Sequence, residues 1–136
     1  MMETLLERGR RVLSEQPFSV LIGSEMRALD DGKAELVLDL NKDHLQQHGF
    51  AHGGVVSYLA DNALTFAGGS VLGDSVTLEY KINYVRPALG QRLIARARVT
   101  AGGRNQAVCC CEIFAVRDGE EKLCATAQGT IWKVPA

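Results

Sequence analysis

One carboxylate lies in an otherwise apolar stretch, and it is the first candidate for chemistry. The segment Gly53–Gly69 holds Asp61 among aliphatic and aromatic residues and contains no Lys, Arg or Glu. An ionised acid in such surroundings costs free energy unless it has a partner or a task. Asp61 is therefore the predicted acid of a functional site.

Gly53 and Gly54 begin the same stretch, and they supply the second candidate. The pattern predicts a helix that starts at one of these glycines, so backbone N–H groups there have no side chain over them. The helix dipole at that end favours developing negative charge. An N–H that polarises a carbonyl, combined with a partly desolvated carboxylate, suits acyl transfer to water.

Helical geometry separates the two groups. Eight residues of helix place Gly53 and Asp61 about 12 Å apart along the axis, so one small reacting group cannot contact both within one chain. Two protomers packed antiparallel would bring Gly53 of one to Asp61 of the other. By angle, Gly54, Ser57, Asp61 and Thr65 form one stripe, which is expected to point away from the protomer's own sheet.

The remaining elements must position this helix, which is expected to end at Gly68-Gly69. Its opposite side, expected to face the sheet, carries Val56, Leu59, Ala63 and Phe66. Alternating residues predict four long strands joined by short turns in an antiparallel meander, at 75–86, 91–100, 106–117 and 121–134. In the first of these runs, 75–86, the alternation sets Val76, Leu78 and Tyr80 against Thr77 and Glu79.

Before the central helix, the pattern predicts a short amphipathic helix and a hairpin. The helix covers 3–14 and is ended by Pro17, and the hairpin strands are 25–29 and 33–40. One helix across one sheet is an α+β arrangement in a single domain, 1–136. Because one helix cannot cover both faces and the edges of such a sheet, an oligomer is expected.

The His52-Gly53-Gly54 motif, with Asp61 nine residues after the histidine, resembles the hotdog-fold acyl-CoA thioesterases of the PaaI-like (phenylacetate-pathway) type. The resemblance implies one long central helix wrapped by a long antiparallel sheet, in a dimer or a dimer of dimers. It implies hydrolysis of an acyl-CoA thioester with no metal or redox cofactor, coenzyme A being part of the substrate. The alternatives are a non-catalytic acyl-CoA-binding protein, a hotdog dehydratase acting on a hydroxyacyl thioester, and an interaction protein whose helix is only an interface.

The resemblance also implies roles for individual residues. Asp61 would attack the thioester or activate water, and the Gly53 N–H would polarise the carbonyl. Gln46 would orient the water or the thioester, His52 would support the loop, and Thr77 would assist the water.

Substrate-binding positions follow from the resemblance and from placement along the chain. The predicted set is Gly54, Thr65, Tyr58, Phe50 and Arg86. Thr65 matches a supporting hydroxyl in a related branch of the family. Tyr58, Phe50 and Leu64 could form a pocket for an aromatic or medium-chain acyl unit. The arginines Arg86, Arg92 and Arg104 are candidates, by position, for the phosphates of coenzyme A.

Composition narrows the function classes. The 136 residues carry a net charge near −1 and a pI near 6.3, which gives no basic footprint for nucleic acid. No apolar run reaches the roughly 20 residues that span a membrane, and the N-terminus lacks the apolar core of a secretory signal. Three consecutive cysteines, Cys109–Cys111, and Cys124 indicate reduced core residues of a cytoplasmic protein, with Cys109 and Cys111 on one side of a strand.

The histidines His44, His48 and His52 are spaced four apart, which suggests a metal site only if they lie on a helix. Gly49 and the glycines that follow make a helix improbable there, and no cysteine or acid cluster completes a ligand set. A metal site is the weaker interpretation of these residues.

Overall fold

The computed structural model describes residues 2–135. The helices are α1 Leu5–Ser14, α2 Pro17–Ile22 and α3 Gly53–Leu72, with a 3₁₀ turn at Lys42–His44. The strands are β1 Glu25–Asp30, β2 Lys33–Asp39, β3 Ser75–Tyr84, β4 Arg92–Gly102, β5 Gln106–Arg117 and β6 Glu120–Lys133. No helix in the described part of the chain is both long and apolar enough to cross a membrane.

All six strands form one antiparallel sheet in the order β1-β2-β4-β5-β6-β3. The predicted hairpin β1–β2 is correct, and β4, β5 and β6 form a meander. The prediction that β3 is the first strand of that meander is wrong, because β3 pairs with β6 at the far edge. The connection 85–91 crosses three strand spacings, about 14 Å, which seven residues can span. Strand patterns alone do not distinguish this crossing from a tight turn.

Helix α3 lies across one face of the sheet and forms the centre of the core. Its fully buried residues are Leu59, Ala60, Ala63, Leu64 and Ala67. Small residues allow a close approach: a Cβ on Gly68 would lie 2.7 Å from the Cβ of Ile131 on β6. The expected helix end at Gly68-Gly69 is therefore wrong, since Gly68 is a contact between helix and sheet, and α3 continues to Leu72. Phe66, expected to face the sheet, is only half-buried.

Strand β3 contains a bulge that changes which side chains face the helix. The register with β6 shifts between Thr77 and Glu79, so Leu78 is an extra residue. As a result Leu78 is exposed, while Thr77 and Tyr80 both point toward α3. The strict alternation predicted the reverse for Leu78 and Thr77, because period-two patterns carry no signal for an inserted residue.

The N-terminal segment packs over one side of α3. Helix α1 begins with a capping box between Thr4 and Glu7. Pro17 follows α1 as expected, and it is also the first residue of a second helix, α2, which is a position that proline favours. The cysteines lie as expected: Cys109 and Cys111 are buried, while Cys110, on the other side of β5, is partly exposed.

Candidate active site

His52 caps the start of α3 and leaves Gly53 free. The Nδ1 atom of His52 accepts the N–H of Gly54 over 2.8 Å, and its carbonyl accepts the N–H groups of Val55 and Val56. Within residues 2–135 the N–H of Gly53 has no acceptor. One unpaired donor therefore stands at the positive end of a 20-residue helix.

A pocket of about 360 Å³ lies at this donor and contains four of the residues predicted from sequence. Its walls include Gln46, Phe50, Gly53 and Arg86. The hydroxyl of Tyr84, at the end of β3, donates to the carbonyl of Gly53 over 3.0 Å. This set of residues is called the Gly53 pocket below.

Gln46 organises the loop that forms one wall of the Gly53 pocket. Its Oε1 accepts the N–H groups of His48 over 2.6 Å and Phe50 over 3.2 Å. Because the oxygen is occupied, the side-chain nitrogen of Gln46 is the atom left to donate to a bound molecule.

Asp61 is held by a hydroxyl from β3. Thr77 donates to its Oδ1 over 2.5 Å. Thr65 lies 2.8 Å from the Thr77 oxygen and also 2.8 Å from the carbonyl of Asp61. The second carboxylate oxygen, Oδ2, has no partner among the described residues and is the oxygen available for chemistry.

The expectation that Asp61 points away from its own sheet is wrong. The stripe of α3 that carries Ser57, Asp61 and Thr65 faces the edge strand β3. Ser57 meets Tyr80 there, with 2.5 Å between the two hydroxyl oxygens. No role was predicted for Tyr80, and the alternation that set it on one face of this strand was the one available signal. The stripe can face β3 because this strand pairs with β6 at the edge of the sheet rather than with β4.

Asp61 and Gly53 do not meet within one chain. Gly53 contacts Tyr84, the last residue of β3, whereas Asp61 contacts Thr77 near the beginning of that strand. Asp61 is not among the residues of the Gly53 pocket. Each chain therefore presents two candidate half-sites, the Gly53 N–H and the Asp61 carboxylate, at opposite ends of its edge strand.

Tyr58 is placed on another side of α3. Its hydroxyl bonds to Ser24 over 2.6 Å and to Ser19 over 2.7 Å, and its ring meets Phe18 edge to face at 5.3 Å. Leu64 is fully buried. The described part of one chain therefore does not bring Tyr58, Phe50 and Leu64 together as the predicted acyl pocket, because Phe50 lines the Gly53 pocket, Tyr58 contacts α2 and Leu64 lies in the core.

Other candidates are engaged within the chain. The ring nitrogens of His44 bond to the N–H of Asn41 and the carbonyl of Ile22, so this histidine joins loop and helix. Arg92 pairs with Asp39 over 2.7 Å on the sheet surface. Arg86 keeps its place in the Gly53 pocket while one of its nitrogens donates to a backbone carbonyl.

A long helix wrapped by one antiparallel sheet, with a free N–H at its start and a carboxylate at its middle, defines the class of hotdog-fold thioester enzymes. Residues 48–122 match the sequence profile of the Thioesterase superfamily. The chain belongs to this superfamily, and its class of reaction is the hydrolysis of a thioester.

Solved structures agree with this assignment. A thioesterase family protein from Silicibacter pomeroyi is 33% identical, with a TM-score of 0.91 over 95% of this chain and 97% of that one. A thioesterase from Haemophilus influenzae is 27% identical, with a TM-score of 0.81 over 97% and 91% of the two chains. The PaaI protein of the Escherichia coli phenylacetic acid degradation operon is 23% identical, with a TM-score of 0.85 over 98% of each chain, and shares the fold.

Proposed function

We propose that this protein is an acyl-CoA thioesterase whose active sites form between two copies of the chain. The observation that carries the proposal is the position of the two half-sites. Gly53 lies at one end of β3 and Asp61 at the other. A second copy is needed to complete either one.

The edge strand suggests how the copies meet. β3 pairs with β6 on one side, and its other side is the edge of the sheet. An open edge of ten residues offers unpaired N–H and C=O groups to another strand. If β3 pairs antiparallel with β3 of a second copy, the Tyr84 end of one strand lies beside the Thr77 end of the other. Gly53 then approaches Asp61 of the partner subunit, and a two-fold axis gives two equal sites. Two such dimers would form the dimer of dimers.

The chemistry follows from the two half-sites. The thioester carbonyl accepts the N–H of Gly53, which stabilises negative charge on the oxygen as the carbon becomes tetrahedral. Asp61 of the partner subunit acts through Oδ2, either by taking a proton from the attacking water or by attacking the carbon itself. The C–S bond then breaks, and coenzyme A leaves as the thiolate and takes up a proton. If water attacked, the free acid is formed directly; if Asp61 attacked, the acyl group remains on Asp61 as a mixed anhydride, which a water molecule hydrolyses to release the free acid and restore the carboxylate. Gln46 orients water or thioester, and Arg86 lies where a phosphate of coenzyme A could be bound.

The first experiment is thiol release from a panel of acyl-CoA substrates by the wild type and by Asp61→Ala. We expect the wild type to release thiol from at least one member. Removal of the acid should lower kcat by about 10²- to 10⁴-fold. Wild-type binding without release would instead indicate an acyl-CoA-binding protein.

The second experiment tests the shared site with Gly53→Pro. Proline removes the N–H, and the first position of a helix tolerates it. His52 already has φ −60° and ψ 137°, which suits a residue before proline. A Cβ at position 53 would be 3.6 Å from the Tyr84 ring, an ordinary contact. We expect Gly53→Pro to lose about 10²- to 10³-fold in kcat, and Gly53→Ala, the matched control, to retain activity.

Mixing the two inactive variants then decides whether the site is shared. A heterodimer of Gly53→Pro and Asp61→Ala contains one site with both functional groups intact and one with neither. Random exchange of equal amounts should restore about a quarter of wild-type activity, since half of the dimers are mixed and each has one working site. If the activity of the mixture stays at the level of the separate variants, the shared site is contradicted.

A further inference from the structure

A second cavity lies beside the acid, and neither the free N–H nor the resemblance assigns it a role. It occupies about 340 Å³ between α1 and the C-terminal half of α3. Its apolar wall is formed by Leu5 and Val12 of α1, Leu29 of β1 and Phe66 of α3. We call it the α1–α3 cavity. Its volume lies in the range of about 300–1,000 Å³ for pockets that hold small organic groups.

The α1–α3 cavity reaches the acid through one side chain. Thr65 lines the cavity, and its hydroxyl oxygen is 2.8 Å from that of Thr77, which donates to Asp61. The Gly53 pocket, in contrast, lies at the other end of β3. A group held in the α1–α3 cavity would therefore extend from the acid in the direction away from its own chain's Gly53.

The α1–α3 cavity is also lined by polar residues, among them the charged Arg8 and Asp74, and its uncharged polar side chains are engaged in hydrogen bonds. Asn62 donates to Gln16 over 3.2 Å, and the hydroxyls of Ser70 and Ser75 each donate to a backbone carbonyl over 2.7 Å. These bonds leave the apolar side chains as the principal contact surface for a bound group. A wall of this kind favours an aliphatic or aromatic occupant over a charged one.

Helix α1, which covers the α1–α3 cavity, is held close to β1 by a tight contact at Gly9. Helix α1 lies so near β1 that a Cβ on Gly9 would be 2.5 Å from Met26 and 2.6 Å from Leu29. The cavity therefore has a defined depth. Helix α1 also lies outside residues 48–122, the part that matches the superfamily.

From these observations we propose that the acyl group of the substrate occupies the α1–α3 cavity of the protomer that supplies Asp61, and that α1 sets its size. This inference rests on the proposed function. A thioester has an apolar group on one side of its carbonyl and coenzyme A on the other. The cavity takes the apolar part, while the Gly53 pocket of the other protomer receives the carbonyl and the thioester side. Its volume suits one aromatic ring or an aliphatic chain of medium length.

The test changes residues of α1 and a residue of α3 separately, because these two helices enclose the cavity. Val12→Phe and Leu5→Phe narrow it from α1, and Phe66→Ala widens it from α3. Val20→Phe is the matched control, because Val20 lies on α2, is 62% exposed and does not line this cavity. The measurement is kcat/KM for straight-chain acyl-CoA substrates from acetyl to palmitoyl and for phenylacetyl-CoA.

We expect either narrowing variant to lower kcat/KM for medium-chain and aryl substrates by about tenfold or more, with acetyl-CoA nearly unchanged. Phe66→Ala should move the preferred acyl group to a larger one, and Val20→Phe should keep the wild-type profile. Active variants that share the wild-type profile would overturn this inference and leave the proposed function standing. If the wild type releases no thiol from any substrate, the proposed function fails, and the inference fails with it.

Discussion

Thr77 donates to Oδ1 of Asp61 over 2.5 Å, and this bond ties the edge strand β3 to the middle of α3. It depends on the bulge at Leu78, which places Thr77 on the same face of the strand as Tyr80. Because one carboxylate oxygen is held, the other has a fixed direction. Fixed orientation of a reacting group lowers the entropic part of a barrier.

Replacement of Thr77 by valine should lower kcat while KM changes little. Valine keeps the branched shape of threonine but cannot donate a hydrogen bond. Because hydrogen bonds to charged groups contribute about 1.5–3 kcal/mol, we expect kcat to fall roughly 10- to 100-fold. Steady-state kinetics on the best acyl-CoA substrate measures the effect. Thr77→Ser keeps the hydroxyl and should restore most of the rate. Equal rates for Thr77→Val and the wild type would show that this bond does not position the acid.

Replacement of His52 by alanine should destabilise the start of α3. The lost bond is the one from the Gly54 N–H to Nδ1, and loss of an N-terminal cap typically costs about 1 kcal/mol. Denaturant unfolding at fixed protein concentration gives the free energy of unfolding. His52→Asn provides another capping oxygen and should lose less. If alanine and asparagine variants are equally stable, the cap contributes nothing measurable.

Two adjacent glycines in α3 should respond differently to alanine. At Gly68 the new Cβ would lie 2.7 Å from Ile131, so overpacking should cost about 1–3 kcal/mol. At Gly69 the nearest atom is the movable Ser75 hydroxyl at 3.2 Å, and the helix gains from alanine, so the change should stay within about 1 kcal/mol. Unfolding free energies of both variants are compared with the wild type. A Gly68→Ala variant as stable as Gly69→Ala would contradict the close approach of α3 to β6.

The four cysteines should differ in their reactivity toward a thiol-labelling reagent. Burial raises the pKa of Cys109 and Cys124 to about 11 and that of Cys111 to about 12. A raised pKa keeps the thiol protonated below that value, so at pH 8 these three lack the reactive thiolate. Iodoacetamide should therefore modify the partly exposed Cys110 alone in the folded protein, and all four after unfolding. Peptide mass spectrometry identifies the sites, and rapid labelling of Cys109 or Cys111 in the native state would contradict their burial.

Much of the fold follows from local sequence. The apolar helix at Gly53, the hairpin around Asp30–Gly32 and the boundaries of β5 were predictable because each rests on periodicity or turn residues near in sequence. The same is true of the pair Gly53 and Asp61, whose separation is fixed by the rise of one helix. Gln46 was predicted from the resemblance, whereas Phe50 and Arg86 were predicted from their positions along the chain, and the structure gathers all three around Gly53.

The tertiary structure decided the relations between distant segments. The pairing of β3 with β6 brings Thr77 and Tyr80 to α3, and no local pattern records which strands become neighbours. The bulge at Leu78 reverses the faces of the sheet on which Thr77 and Leu78 lie. Gly68, where the helix was expected to end, is instead inside α3 and contacts Ile131. These outcomes depend on packing between segments far apart in the chain, whereas periodicity reports only the preference of each segment alone. The sequence by itself determined the acid and the N–H donor, and the fold decided that they stand at opposite ends of one edge strand.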